Sequence, residues 1–231
     1  MTLKPRDRIL DAAMAVFRRH GFRRSSIEQA AEAAGLTRQA LYHHFKSREA
    51  LFRAVIERLH EEALAAEIAA ANAAEKAGGG LADILLAGVT ARLRRFIASF
   101  DGSPHIEELF SEHLLQARDL YQKYAGLYAA QGTVVIARVC RKQRLVLAGG
   151  MTPEGLARLV EMAINGAKSA NAGMQPADAF LGDLTAMVRT LVAGALAPSS
   201  KTPPAKPAAT TTVPKISARK PPARKTSGGR P

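Results

Sequence analysis

Tryptophan is absent from this 231-residue chain, aromatic residues make up only 5% of it, and cysteine occurs once, at Cys140. A lone cysteine excludes an intramolecular disulfide framework and fits a reducing compartment. At a helical position it reads as a small buried hydrophobe rather than a nucleophile. Also missing are an uninterrupted apolar run near the roughly 20 residues a bilayer span needs and a basic-then-apolar leader. The expectation is a cytoplasmic protein with no membrane partner. No segment alternates with period two for long enough to suggest a strand. With 47% apolar residues but few aromatics, the interior is built from Ala, Leu, Val and Ile, which favours packed helices.

Acid is scarce at both ends. Residues 1–48 hold ten Lys/Arg against four Asp/Glu, residues 49–198 hold fifteen against sixteen, and residues 199–231 hold eight with no acid at all. The net charge of +13 is therefore concentrated in two terminal regions flanking a neutral body, a distribution suited to polyanion contact.

Helical punctuation divides the chain. In PRDRILDAAMAVFRRHGF, Pro5 suits a first helical position, and Ile9, Ala13, Val16 and Phe17 form one apolar stripe before Gly21. Ser26 and Gln29 read as a capping box for a second helix ending at Gly35, with Ser25 and Glu28 as the alternative register. Thr37 caps a short third helix, Arg38 to Phe45. Three helices with a tight Gly turn between the last two are the pattern of a helix-turn-helix unit. Ser47 then caps a long amphipathic run carrying Leu51, Val55, Ile56, Leu59 and Leu64, which the glycines at 78–80 end. Further helices are expected at 81–99, 104–116, 117–147, 153–172 and 177–197. The fold class is all-α: a domain over 1–47, a helical body over 48–197, and a Lys/Pro/Ala-rich basic tail over 198–231 too poor in large apolar residues to offset its ordering entropy.

A helix that reads a DNA groove must dock a few apolar residues and offer polar tips to the groove. In GLTRQALYHHF, Leu41 and Phe45 share the inner face with Leu36, while Arg38, Gln39, Tyr42 and His43 fall elsewhere. Arg reads guanine bidentately and Gln reads adenine. Tyr42, the histidines, Lys46, Arg48 and the backbone amides at Ser26 suit phosphate. The bland alternative is a solvated face of a small bundle.

Residues 5–55 resemble the DNA-binding domain of the tetracycline-repressor (TetR) family. The resemblance is densest in AAGLTRQALYHHFKSREALF, where Ala34, Gly35, Leu41, Tyr42, Phe45 and Leu51 follow the family signature. It implies phosphate contact from Ser26, Thr37, Tyr42, His44 and Arg48, and base contact from Arg38, Gln39 and His43. Two positions depart from the family: Gln39 stands where many members carry Gly, and Ala30 where an aliphatic residue is usual.

The resemblance further implies a helical effector domain, a homodimer and a small-molecule pocket. The helices near 153–172 and 177–197 carry broad apolar stripes suited to a four-helix dimer interface; burial inside one monomer is the alternative. Pocket candidates are Phe96, Phe100, Phe110, Tyr121, Tyr124 and Tyr128, with Asn165, His105 and His113 as polar fixers. Glu57 and His60 give one Glu-x-x-His, but a di-iron bundle needs a second copy, and His43 and His44 lack metalloprotease spacing. No Gly-rich phosphate loop or Gly-x-Ser-x-Gly elbow occurs, so neither catalytic nor metal residues nor a cofactor are expected. The reading is a homodimeric repressor on the nucleoid, binding palindromic double-stranded DNA and released by a small-molecule effector. Its rival is a nonspecific DNA-coating protein driven by the tail, whose eight cations would add salt-dependent phosphate affinity.

Overall fold

In a computed structural model, residues 4–197 are described; the tail expected over 198–231 lies outside them. The described residues form nine α-helices: α1 (Pro5–His20), α2 (Ile27–Ala33), α3 (Arg38–His44), α4 (Arg48–Lys76), α5 (Leu81–Phe100), α6 (Ile106–Gln116), α7 (Arg118–Gln143), α8 (Pro153–Ala170) and α9 (Ala177–Ala195). The all-helical class is the one the composition calls for. No helix among these residues is long and apolar enough to cross a membrane.

Caps set the first boundaries. Ser26 Oγ accepts the Gln29 N–H at 3.2 Å and Gln29 Oε1 accepts the Ser26 N–H at 2.9 Å, a reciprocal capping box that selects the Ser26 register. Gly35 closes α2 with φ +67°, a left-handed conformation that a side chain would strain, and the Leu36 N–H returns to the Ala31 carbonyl at 2.9 Å. Thr37 and Ser47 then cap α3 and α4 by accepting N–H bonds from Ala40 and Ala50.

Ile9, Ala13 and Phe17 of α1 meet Ile27 and Ala31 of α2, Leu41 of α3 and Phe52 of α4 in one core. Phe17 and Phe52 pack edge to face at 5.1 Å, with Phe22 4.8 Å from Phe52. The start of α4 is thus part of the N-terminal unit's interior, and residues up to 197 form one compact body.

Further along α4, Leu64 is only half-buried, and the core stripe runs instead through Ala63, Glu67 and Ala71, four residues apart. Gly88 of α5 faces that stripe. A Cβ there would lie 3.1 Å from the Glu67 carbonyl oxygen and 3.3 Å from the Ala71 Cβ, so glycine permits the α4–α5 approach. Helix α7 ends at Gln143, four residues before the expected 147, because Arg144 adopts a left-handed φ of 55°. The chain that follows is extended, and backbone bonds from Ala148 N–H to the Ala195 carbonyl and from Ala197 N–H to the Val146 carbonyl pin it to the end of α9.

Candidate nucleic-acid interface and internal cavity

On α3, Leu41 is fully buried and Phe45 nearly so, which orients the rest of the helix. Gln39 and His43, four apart, stand farthest from that inner edge; with Thr37, Arg38 and His44 they are exposed. Tyr42 and Ser26 are half-buried, and Lys46 is exposed just beyond the helix. Arg38 lies 5.4 Å over the Tyr42 ring and pairs with Glu28 at 2.7 Å, both side chains being open to solvent. Such an exposed pair is weak and exchangeable.

Several cations of the N-terminal region are held on different sides of it. Arg6 lies over the Phe45 ring, beside the end of α3. Arg18, Arg23 and Arg24 turn the other way, to the Asp101 carbonyl, to Glu112 of α6 and to His105. Arg48 is also committed: its guanidinium donates to the carbonyls of Arg23 and Ser25 at 3.1 and 3.2 Å and lies 4.3 Å over the Phe22 ring. Arg48, expected as a phosphate contact, braces the turn between α1 and α2, because its position at the first turn of α4 places that turn within reach.

A cavity of about 500 Å³ lies in the helical body. Of the residues expected there, Phe96, Phe110, Tyr121, Tyr128 and Asn165 are on its wall, together with His113. Phe100 and Tyr124 are not. Phe100 is buried behind Phe110, ring centres 5.1 Å apart, and Tyr124 stacks on His60 at 4.6 Å. His105 is half-buried at the N-terminal end of α6, its ring beside Arg24.

The wall also carries charge that the sequence reading passed over. Arg92 of α5 is 2% exposed and answers Glu161 of α8 at 2.8 Å and Glu67 of α4 at 3.2 Å. The Glu67 contact is too poorly aligned for a hydrogen bond. Burial pushes Glu67 up to about 7 against the pull of Arg92. The guanidinium also lies 4.1 Å over the Tyr128 ring. The signal for these residues was present: Arg92 falls on the apolar stripe of Leu85, Val89 and Phe96, and Glu67 between Ala63 and Ala71. A charge repeated into a buried face requires a partner.

His60 and His113 complete the inner wall. His60 Nδ1 is 2.9 Å from the Tyr128 hydroxyl, and its Nε2 is 3.0 Å from Nε2 of His113. Burial, aided by the neighbouring cations, lowers His60 to about 3 and His113 to about 4, so both rings are neutral near pH 7. Glu57, the other half of the Glu-x-x-His spacing, faces outward and pairs with Lys123 at 3.0 Å. Among the described residues no group of His, Cys, Asp and Glu side chains could hold a metal ion.

Helix α6 connects the two regions. Glu108 and Glu112 accept from the backbone N–H and Nε of Arg23, each at 2.8 Å, whereas Phe110, His113 and Leu114 on the same helix line the cavity. Helix α4 spans them as well, with Phe52 in the N-terminal core and His60 on the cavity wall.

Comparison with known proteins agrees with this arrangement. The family of bacterial regulatory proteins described as tetR family matches residues 9–55. The transcriptional regulator UidR of Escherichia coli K12 is 42% identical over 60 residues, which are 26% of this chain and 31% of UidR; the match thus covers under a third of that relative's length. A transcriptional regulator from Pseudomonas aeruginosa PAO1 superposes with a TM-score of 0.62 at 18% identity, covering 83% of this chain and 91% of its own. SmeT, the repressor of a Stenotrophomonas maltophilia multidrug efflux pump, does so with a TM-score of 0.55 at 22% identity, over 83% and 90%. Residues 9–55 thus carry the sequence pattern of the tetR family of bacterial regulatory proteins, and the described body shares its fold with solved transcriptional regulators.

Proposed function

We propose that this protein is a cytoplasmic, homodimeric transcriptional repressor that binds palindromic DNA through α3 and is released by a small molecule occupying the cavity. The observation that carries the reading is the division of α3: Leu41 and Phe45 hold it down while Gln39, His43 and His44 are left to solvent with no side-chain partner among the described residues, beside the exposed cap Thr37 and the exposed, exchangeable Arg38–Glu28 pair. In this reading Gln39, Arg38 and His43 read bases; Thr37, Tyr42, His44, Lys46, Arg48 and the α2 start at Ser26 contact phosphates.

Dimerisation is supported by the outer faces of α8 and α9. Leu159, Met162, Ala163, Ala186, Met187 and Leu191 line a shallow apolar depression there, and Met162 is 60% exposed. Two copies of this face would bring the second α3 to the next major groove, about 34 Å away. Release is supported by α6, which holds Arg23 beside the recognition unit and lines the cavity. An occupant that shifts α6 acts on the turn before α2 only as far as it prefers one position over the other. The repressor sense follows the relationship to SmeT, which is named as one.

Genomic fragments retained by the purified protein, followed by footprinting, test the reading. A single protected palindrome is expected. Uniform coverage would favour the DNA-coating alternative, in which the basic tail dominates.

A further inference from the structure

The cavity is chemically lopsided. Phe96, Phe110, Leu114 and Met174 supply apolar wall, and Arg92, Glu161 and Lys168 gather where α5 and α8 face each other, with Glu107 on α6 the remaining acidic group of the lining. Arg92 answers Glu161 on the wall and also Glu67 of α4, which lies outside the lining. Lys168 is different. It lies two turns beyond Glu161 on α8 and lines the same cavity, yet among the described residues it enters no ion pair and makes no hydrogen bond through its ammonium. Burial and the nearby Arg92 lower it to about 8, with Glu161 opposing. Its side chain is half-buried, so the ammonium borders the cavity without a counter-charge, and an anion arriving beside it gains a charge-assisted hydrogen bond.

A second donor stands next to it. Asn165, one turn earlier on the same face of α8, also lines the cavity. The Tyr121 hydroxyl donates to its Oδ1 at 3.1 Å, which orients the amide so that Nδ2 carries two hydrogens with no acceptor among the described residues. Glu161 on the wall and Glu67 next to it are both engaged by Arg92, and the other wall carboxylate, Glu107, is exposed and stands on α6 rather than on the Lys168–Asn165 face of α8. An approaching cation would meet Arg92 and Lys168 together.

We infer that the cavity takes an amphipathic organic anion, its carboxylate held by Lys168 Nζ and Asn165 Nδ2 and its aryl or alkyl body against Phe96, Phe110, Leu114 and Met174. This rests on reading the cavity as the effector site. A volume of about 500 Å³ falls within the range of small-molecule sites.

Titration calorimetry on the full chain tests the assignment with two matched sets: phenylbutyrate, phenylbutanol and phenylbutylammonium, and decanoate, decanol and decylammonium. In at least one set the acid binds about tenfold or more tighter than the alcohol, as a charge-assisted hydrogen bond requires, and the ammonium binds weakest. Lys168→Met abolishes the preference for the acid, whereas Lys168→Arg retains it. Acid affinity also falls between about pH 7 and about pH 10 as Lys168 loses its proton; Arg92, Glu107, Glu161, Tyr121, Tyr128, His60 and His113 are the other titratable groups facing the cavity. Equal or tighter binding of the alcohol or ammonium, an acid preference unchanged in Lys168→Met, or no binding of either set overturns the inference. Retention of the enriched genomic fragments is measured in parallel. An acid that binds through Lys168 without releasing DNA sustains the anion site and overturns the effector reading. Release by the alcohols or ammoniums but not the acids does the reverse.

Discussion

His60 and His113 meet nitrogen to nitrogen, Nε2 to Nε2 at 3.0 Å, deep in the cavity wall. One ring must donate and the other accept, so two imidazolium ions cannot share the contact. Desolvation lowers His60 from 6.5 to about 3 and His113 from 6.5 to about 4. As pH falls below 6.5 the unfolded chain takes up protons that the folded chain refuses, and stability is lost. Glu67, raised from 4.5 to about 7, acts in the opposite sense across that interval, so the steepest loss lies below its lower limit. Each histidine contributes at most about 1.4 kcal/mol per pH unit. Urea midpoints measured from neutrality down to about pH 4 should fall, and His60→Gln combined with His113→Gln should flatten the curve. A flat wild-type profile would show that the rings are not held neutral.

Arg92→Met is expected to destabilise the protein by about 3–5 kcal/mol, since it leaves Glu67 and Glu161 in the interior without their cation. Glu67→Gln keeps the shape and removes a charge that burial already disfavours; its cost should be less than half as large. Chemical denaturation of the two variants decides the matter. Equal losses would mean that packing, not charge, dominates this cluster.

On the DNA side, Gln39→Ala should relax discrimination at one or two base positions by about 1–3 kcal/mol each. Lys46→Ala should weaken binding to all sequences and reduce the salt slope by about one. Arg48→Ala should act first on folding: with its side chain 31% exposed and two carbonyls to lose, the loss is about 1–3 kcal/mol of stability. Thermal melts alongside binding titrations separate the three. Retained stability with a reduced salt slope in Arg48→Ala would show a phosphate contact without a bracing role.

Gly88→Val should cost about 1–3 kcal/mol, because its Cβ would press on the Glu67 backbone, which cannot swing aside as a flexible side chain would. Gly126→Ala, in α7 with nothing within 4 Å of the new methyl group, should instead stabilise by about 0.5–1 kcal/mol. Denaturant midpoints of the pair test whether close helix approach, rather than helix propensity, governs Gly88.

Local rules made much of the molecule legible from residue order. The capping box at Ser26, the turn at Gly35 and the caps at Thr37 and Ser47 depend on neighbours within a few residues, and each forms as the spacing implies. The end of α7 was less legible, since no glycine or proline marks Arg144. Cavity residues were the least legible. An aromatic at helical spacing can face a cavity or a packed core, and only the positions of the other helices distinguish Phe110, on the wall, from Phe100 directly behind it.

The sequence by itself determined the all-helical class, the helix-turn-helix unit and the polar face of α3, because each follows from short-range hydrogen bonding and from the period of apolar side chains along one chain. Tertiary structure alone decided that Arg48 braces a turn, that Arg92 gathers Glu67 and Glu161, and that Lys168 is left without a counter-charge. Charges interact across distances that ignore chain order, and their partners come from helices up to about a hundred residues away in sequence. Such pairings are fixed only when the helices pack.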